Sequence, residues 1–172
     1  MSHFLRVAAS LLLALLSACA SVGTAPPAAL TFIVVRHAEK ARDDPRDPTL
    51  TAAGHARAEA LAAALADAPV VAVYATGYRR TQQTAAPTAR VHALPVTTYD
   101  AKGPAVAFAA QLRQAHRAGH VLVVGHSNTA PDIAAALCGC DVAPMDESEY
   151  DRRMTVHIGA NGQVTLISAA VR

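Results

Sequence analysis

The stretch LTFIVVRHAEK, residues 30–40, decides how the rest of the chain is read. Residues 30–35 form a short run rich in β-branched side chains, with the length and bulk of a strand buried on both faces of a parallel sheet. The run ends abruptly in charge, at Arg36 and His37. Open α/β sheets bind ligands at the carboxyl ends of their strands. An imidazole beside a guanidinium at such a place suits an anion, phosphate above all. For an Arg-His pair alone a solvated strand end is an equal alternative, so the remaining strands decide between the two.

They deliver more of the same. Thr51 caps a helix expected to run to about Asp67, with Ala58, Leu61 and Leu65 on one face. Pro69 then ends it, and residues 70–75, VVAVYA, read as a second buried strand. Just past that strand come Arg79 and Arg80, opening a helical segment. A second cationic pair on the same edge of the sheet strengthens the phosphate reading. Residues 94–99 make a third strand ending at Asp100, and residues 105–117 an amphipathic helix that Gly119 closes. The clearest strand, residues 121–124, delivers Gly125, His126, Ser127 and Asn128. Asn128 or Thr129 caps the next helix, with Pro131 in its first turn, so free amides are expected to face an anion held by His126. Asn161-Gly162 between apolar runs at 154–158 and 163–168 signals a hairpin. The expected fold is therefore α/β, a three-layer sandwich with a mainly parallel central sheet and a C-terminal β-hairpin.

Composition narrows the function. A chain of 172 residues with 52% hydrophobic side chains has room for one domain with a real core. A formal charge of +2, scattered along the chain, argues against a nucleic-acid surface, and the absence of Trp argues against stacking platforms for bases. The loop at residues 41–50, with Pro45 and Pro48, is expected near the site; its Lys40, Arg42 and Arg46 read by default as a solvated face.

Residues 1–18 read as a signal peptide: one Arg, an apolar run too short to remain as a membrane span, then small residues. The end of this segment, Leu16-Ser17-Ala18-Cys19, resembles the bacterial lipobox, which implies lipidation of Cys19. Residues 19–29 would be a flexible tether and residues 30–172 the domain. By that resemblance, Ala20 after the Cys implies an outer-membrane lipoprotein of the bacterial cell envelope facing the periplasm, held to the membrane through Cys19. Cys138 and Cys140 remain as thiols whose spacing is tight for an easy disulfide; a structural role is the main reading, a metal site the minor one.

Taken together, Arg36-His37, Arg80 with Thr84-Ala85, and Gly125-His126 carry a family resemblance. RHAEK, LTAAG at 50–54, R-x-x-x-T-A from Arg80, and VLVVGHSN at 121–128 resemble the signatures of the histidine phosphatase superfamily, in its phosphoglycerate-mutase-like branch, with Ala38 where Gly is usual. The resemblance implies that His37 is a nucleophile forming a phosphohistidine, that Arg36, Arg80 and His126 hold the phosphoryl oxygens, and that no metal or cofactor is required. Arg36 would also keep the imidazole unprotonated. The candidate proton donor is Asp100, where the branch commonly has Glu. The implied partner is a small phosphorylated substrate or a phosphorylated envelope component. Two other functions remain in view: a lipid-anchored phospho-ligand binding protein without turnover, and a phosphoglycerate-type mutase.

Overall fold

Every residue of the first strand, β1 (Leu30–Arg36), is buried, because it has a strand on each side and a helical layer over each face. The structure is a computed structural model and describes residues 29–170. The expected signal peptide, Cys19 and all but the last residue of the tether lie outside those residues.

The elements follow in the expected alternation: α1 (Ala52–Ala64), β2 (Val70–Thr76), α2 (Arg79–Val91), β3 (Val96–Tyr99), α3 (Ala105–Ala115), β4 (Gly119–Gly125), α4 (Ala130–Cys138), β5 (Arg152–Ile158) and β6 (Val164–Ala170). The sheet has the order β3-β2-β4-β1-β5-β6. β1 runs parallel to β4, with Arg36 level with Gly125, and antiparallel to β5. β2 joins β4 and β3 in parallel, and β5 and β6 form the antiparallel hairpin.

Strand periodicity sorts the core into two layers. Phe32, Val34, Val121 and Val123 pack with Ala109 and Leu112 of α3 and with Ile133 and Leu137 of α4. Their alternates Ile33, Val35, Leu122 and Val124 pack with Leu61, Leu65, Ala85 and Ala89 beneath α1 and α2. Because both faces of β1 and β4 are spent on burial, what these strands offer for chemistry is their carboxyl ends.

Some boundaries differ from expectation for local reasons. α1 stops at Ala64, with Leu65 as its cap, because the Ala68 amide turns back to the Leu65 carbonyl. β3 begins at Val96 rather than 94, after Pro95, which has no amide to give a ladder. His116, not Gly119, caps α3; Gly119, at φ +85°, opens β4. Cys138 and Cys140, read from sequence as thiols, are joined in a disulfide with Cα atoms 5.2 Å apart. Gly139 in the left-handed region ends α4 and turns the chain so that the two sulfurs meet. No helix among the described residues is long and apolar enough to cross a membrane.

The start of α1 is fixed against the end of β1. Thr51 accepts from the Gly54 amide and donates its own amide to the Glu39 carbonyl, while Arg57 grips the Glu39 carboxylate. A Cβ on Gly54 would stand 2.4 Å from the Glu39 carbonyl oxygen. That neighbour is backbone, two residues beyond His37, and has no rotamer to escape through. Gly54→Ala is therefore expected to lower stability by about 1–3 kcal/mol, the usual range for overpacking. Urea unfolding checks this, and an unchanged midpoint would show that the helix can shift without cost.

Candidate active site

The carboxyl ends of β1, β2 and β4 converge on a cavity of about 300 Å³, lined by Arg36, His37, Arg80 and His126. These four residues from three separated stretches are brought together as expected. Beside them stand Tyr78, Ser127 and Glu147, with Lys40 and Lys102 as further cations.

His37 is 3% exposed, and its Nδ1 lies 2.8 Å from the Ala38 carbonyl. A carbonyl only accepts, so Nδ1 carries the proton and the lone pair is on Nε2. The pKa of His37 is lowered to about 3, first by burial and then by Arg36, His126 and Arg80; the Ala38 bond opposes the shift. Arg36 thus helps to keep the imidazole neutral, but burial contributes more. The Ala38 amide in turn donates to Thr84 Oγ1, whose hydroxyl donates to the Arg80 carbonyl. Thr84 ties the residue after His37 to the helical turn that starts at Arg80, a physical reason for the four-residue spacing between Arg80 and Thr84.

Arg80 and Arg79 part company at the start of α2. The Arg80 side chain is 15% exposed, lies with Cζ 4.4 Å from the Tyr78 ring centre, and brings Nη2 to 3.5 Å from His126 Nδ1. Arg79 is half exposed and turned toward Asp43 and Asp47, away from the cavity lining.

His126 has the opposite tautomer to His37. An arginine only donates, so Nδ1 facing Arg80 holds the lone pair and Nε2–H donates to Thr76 Oγ1 at 3.1 Å. Thr76 passes the chain to Thr81, 2.8 Å away, which ends on backbone carbonyls. The pKa of His126 is lowered to about 4, by burial first and then by Arg80 and Arg36. His126 therefore donates from Nδ1 to an anion only when the charge of that anion draws a proton onto it. The start of α4 contributes less than expected: the Thr129 and Ala130 amides both donate back to the His126 carbonyl, and the Thr129 hydroxyl accepts from the His126 amide.

Arg36 does two jobs. Its Nη1 donates to the carbonyls of Asp146, Glu147 and Glu149, and its Nη2 to the Glu147 carboxylate at 3.0 Å. The guanidinium also lies 4.1 Å from the centre of the Tyr150 ring. The Nε atoms of Arg36 and Arg80 are buried without a protein acceptor, which leaves each guanidinium a donor for a ligand.

Asp100 is displaced from the role expected of it. It is exposed, its carboxylate accepts from the Lys102 amide and its carbonyl from the Gly103 amide, and it is absent from the cavity lining. This is a turn-forming aspartate at the entry to α3. The carboxylate in the cavity is Glu147. Sequence spacing gave no signal for it, since it sits in an irregular acidic stretch 21 residues after His126, far from any motif.

A mainly parallel α/β sheet with two neutral histidines, one buried guanidinium and one part-buried guanidinium at its carboxyl edge has the chemistry that suits a phosphoryl group. A model of the histidine phosphatase superfamily (branch 1) matches residues 32–102, the segment that holds Arg36, His37 and Arg80. Over that segment the chain is similar to the histidine phosphatase superfamily, and the fold as a whole is shared with solved structures.

Solved structures share the fold over nearly their whole lengths. The protein histidine phosphatase SixA, in complex with tungstate, is 20% identical with a TM-score of 0.66, covering 81% of this chain and 96% of its own. The mycobacterial glucosyl-3-phosphoglycerate phosphatase is 14% identical with a TM-score of 0.62, covering 84% of this chain and 100% of its own. A phosphoglycerate mutase from Bacillus anthracis is 14% identical with a TM-score of 0.61, covering 84% of this chain and 94% of its own. No curated protein matches this chain in sequence.

The geometry separates the two arginines. Arg80→Ala is expected to lower kcat/KM on a phosphoester by about 100-fold or more, as for loss of a charged donor to a transferring group. Arg79→Ala removes only exposed ion pairs, worth about 0–1 kcal/mol, and should leave kcat/KM within a few-fold. Equal losses in steady-state kinetics would place the wrong arginine in the site.

Proposed function

We propose that the protein is a metal-independent phosphohydrolase that transfers a phosphoryl group to His37 and then to water. The observation that carries this reading is the state of His37: neutral, with Nδ1–H tied to the Ala38 carbonyl and the Nε2 lone pair left free in a cavity between two guanidiniums. A site that only binds anions has no use for a nucleophile held in one tautomer. The roles expected of Arg36, Arg80 and His126 are to hold the oxygens of the transferring group, where charge collects in the transition state. A covalent phosphohistidine splits one displacement into two, and the attacking atom comes from the chain rather than from metal-bound water.

The substrate class follows from the mouth of the cavity. Only a turn and α3 stand between β3 and β4, so among the described residues no inserted cap covers the site, and protruding phosphoryl groups on small esters or on a protein side chain have access. SixA among the relatives is a protein histidine phosphatase, which supports the second of these. The lining carries Lys40 and Lys102 besides the arginines, an excess of positive charge suited to a dianion. The setting proposed for this activity is the bacterial cell envelope, with the domain held to the outer membrane through lipidated Cys19, on the strength of the sequence pattern at residues 16–19.

Labelling, turnover with chelator and fractionation test the proposal. Brief exposure to a radiolabelled phosphoryl donor, quenched in alkali, should label the wild type with an acid-labile group and leave His37→Ala unlabelled; chelator should not reduce turnover. Undiminished labelling of His37→Ala would remove the mechanism, and phosphate binding without turnover by the wild type would leave a binding protein. For location, Cys19→Ser should move the protein from the membrane fraction to the soluble envelope fraction, and a variant still in the membrane pellet would exclude the lipid anchor.

A further inference from the structure

Glu147 is the carboxylate among the residues lining the cavity, and nothing in the nucleophile and oxyanion roles set out for the other residues uses it. Its backbone is fixed. Arg36 clasps the carbonyls on either side, and Arg152 holds the same turn through the Glu149 carboxylate and the carbonyls of Ala143 and Pro144. Its side chain, by contrast, is 71% exposed and rests on two partners only: Arg36 Nη2, at 3.0 Å, and the Ser127 hydroxyl. An anchored backbone with a loosely held carboxylate is suited to a group that must change partners within the site.

The groups facing it dictate what that change does. In the free protein the Ser127 hydrogen bond, opposed by burial and reinforced by the charges of Arg36 and Lys40, keeps the Glu147 carboxyl below its usual range, so it is ionised. The acidic neighbours in its turn are committed elsewhere, Asp146 to Ser148 and Glu149 to Arg152. A phosphoryl dianion entering the cavity competes for Arg36 Nη2. Once displaced, the carboxylate loses its cation and faces a double negative charge, and both changes raise its affinity for a proton. The event that loads the site thus converts Glu147 from an internal anion into an acid, the first proton coming from water or from the monoanionic form of the entering phosphoester.

We propose that Glu147 is the catalytic residue that protonates the leaving oxygen, in place of the turn-forming Asp100. The inference rests on the phosphohydrolase reading above. In the first step the P–N bond to His37 Nε2 forms, the P–O bond to the leaving group breaks with its electron pair on oxygen, and that oxygen takes the proton from Glu147. In the second step a water oxygen attacks phosphorus, its proton passes to the Glu147 carboxylate, and the P–N electrons return to His37. Alcohol and hydrogen phosphate leave, and the proton on Glu147 is restored.

Leaving-group dependence tests this on the full chain. 2,4-Dinitrophenolate departs without a proton, whereas the alkoxide of hexyl phosphate needs one. Glu147→Gln should lower kcat/KM on hexyl phosphate by about 100-fold or more, the usual scale of general acid catalysis, and on 2,4-dinitrophenyl phosphate by only a few-fold. Binding of inorganic phosphate to the same variant, measured by calorimetry, should be as tight as in the wild type or tighter, because an internal competitor for Arg36 is gone. Equal losses on both esters, no loss on either, or weakened phosphate binding would overturn the assignment. Failure of the phosphohydrolase reading is distinguishable, since the wild type would then turn over neither ester.

Discussion

A guanidinium and an imidazole buried at the end of a core strand take most of their hydrogen-bond partners from within the protein, and much of the structure around the cavity supplies them. Arg36 and His37 are each 3% exposed. A charge so placed is costly unless its donors are met, and a neutral ring is favoured over a charged one. His37 meets the requirement by staying neutral and giving its one proton to a carbonyl one residue away. Arg36 cannot lose its charge, so the chain brings a whole turn, residues 146–149, to its Nη1.

The same logic orders the second layer of polar groups. Thr76, Thr81 and Thr84 are all buried, and each hydroxyl completes a link: Thr84 between the Ala38 amide and the first turn of α2, Thr76 and Thr81 from His126 to the carbonyls of Thr76 and Tyr78. The two histidines are held in opposite tautomers by partners of fixed role, the Ala38 carbonyl for His37 and the Arg80 guanidinium for His126. Preorganisation of this kind is what a transferring phosphoryl group needs, since the donors are in place before charge develops.

How much of this was legible depended on whether the physics was local. The strands, their order along the chain and the four residues at their ends were readable because period, burial and strand-end position are properties of short stretches. Arg80 was separable from Arg79 only through the resemblance of R-x-x-x-T-A to a family signature; the physical reason, Thr84 one helical turn on with its hydroxyl on the Arg80 carbonyl, comes from the structure. Glu147 was not readable: its place depends on Arg36, 111 residues away, folding a loop that carries no periodicity. Asp100 was misplaced for the converse reason, since a strand-end carboxylate looks alike whether it faces a ligand or closes its own turn. The disulfide was missed because a left-handed Gly139, not the spacing, decides whether the two sulfurs meet.

The clasp of Arg36 on the 146–149 turn also bears on how such a protein can diverge. Loops at a binding site are usually the parts freest to lengthen and drift. This one has three carbonyls in fixed register on a guanidinium that also lines the cavity, so an insertion within it would disturb both at once. The loop at residues 41–50 is closed on itself by its own aspartates and by the bridge between Lys40 and Leu50. None of its residues lines the cavity, so changes there would leave Arg36 and its turn undisturbed, and variation of this scaffold is expected to collect in the first loop while the second stays constant.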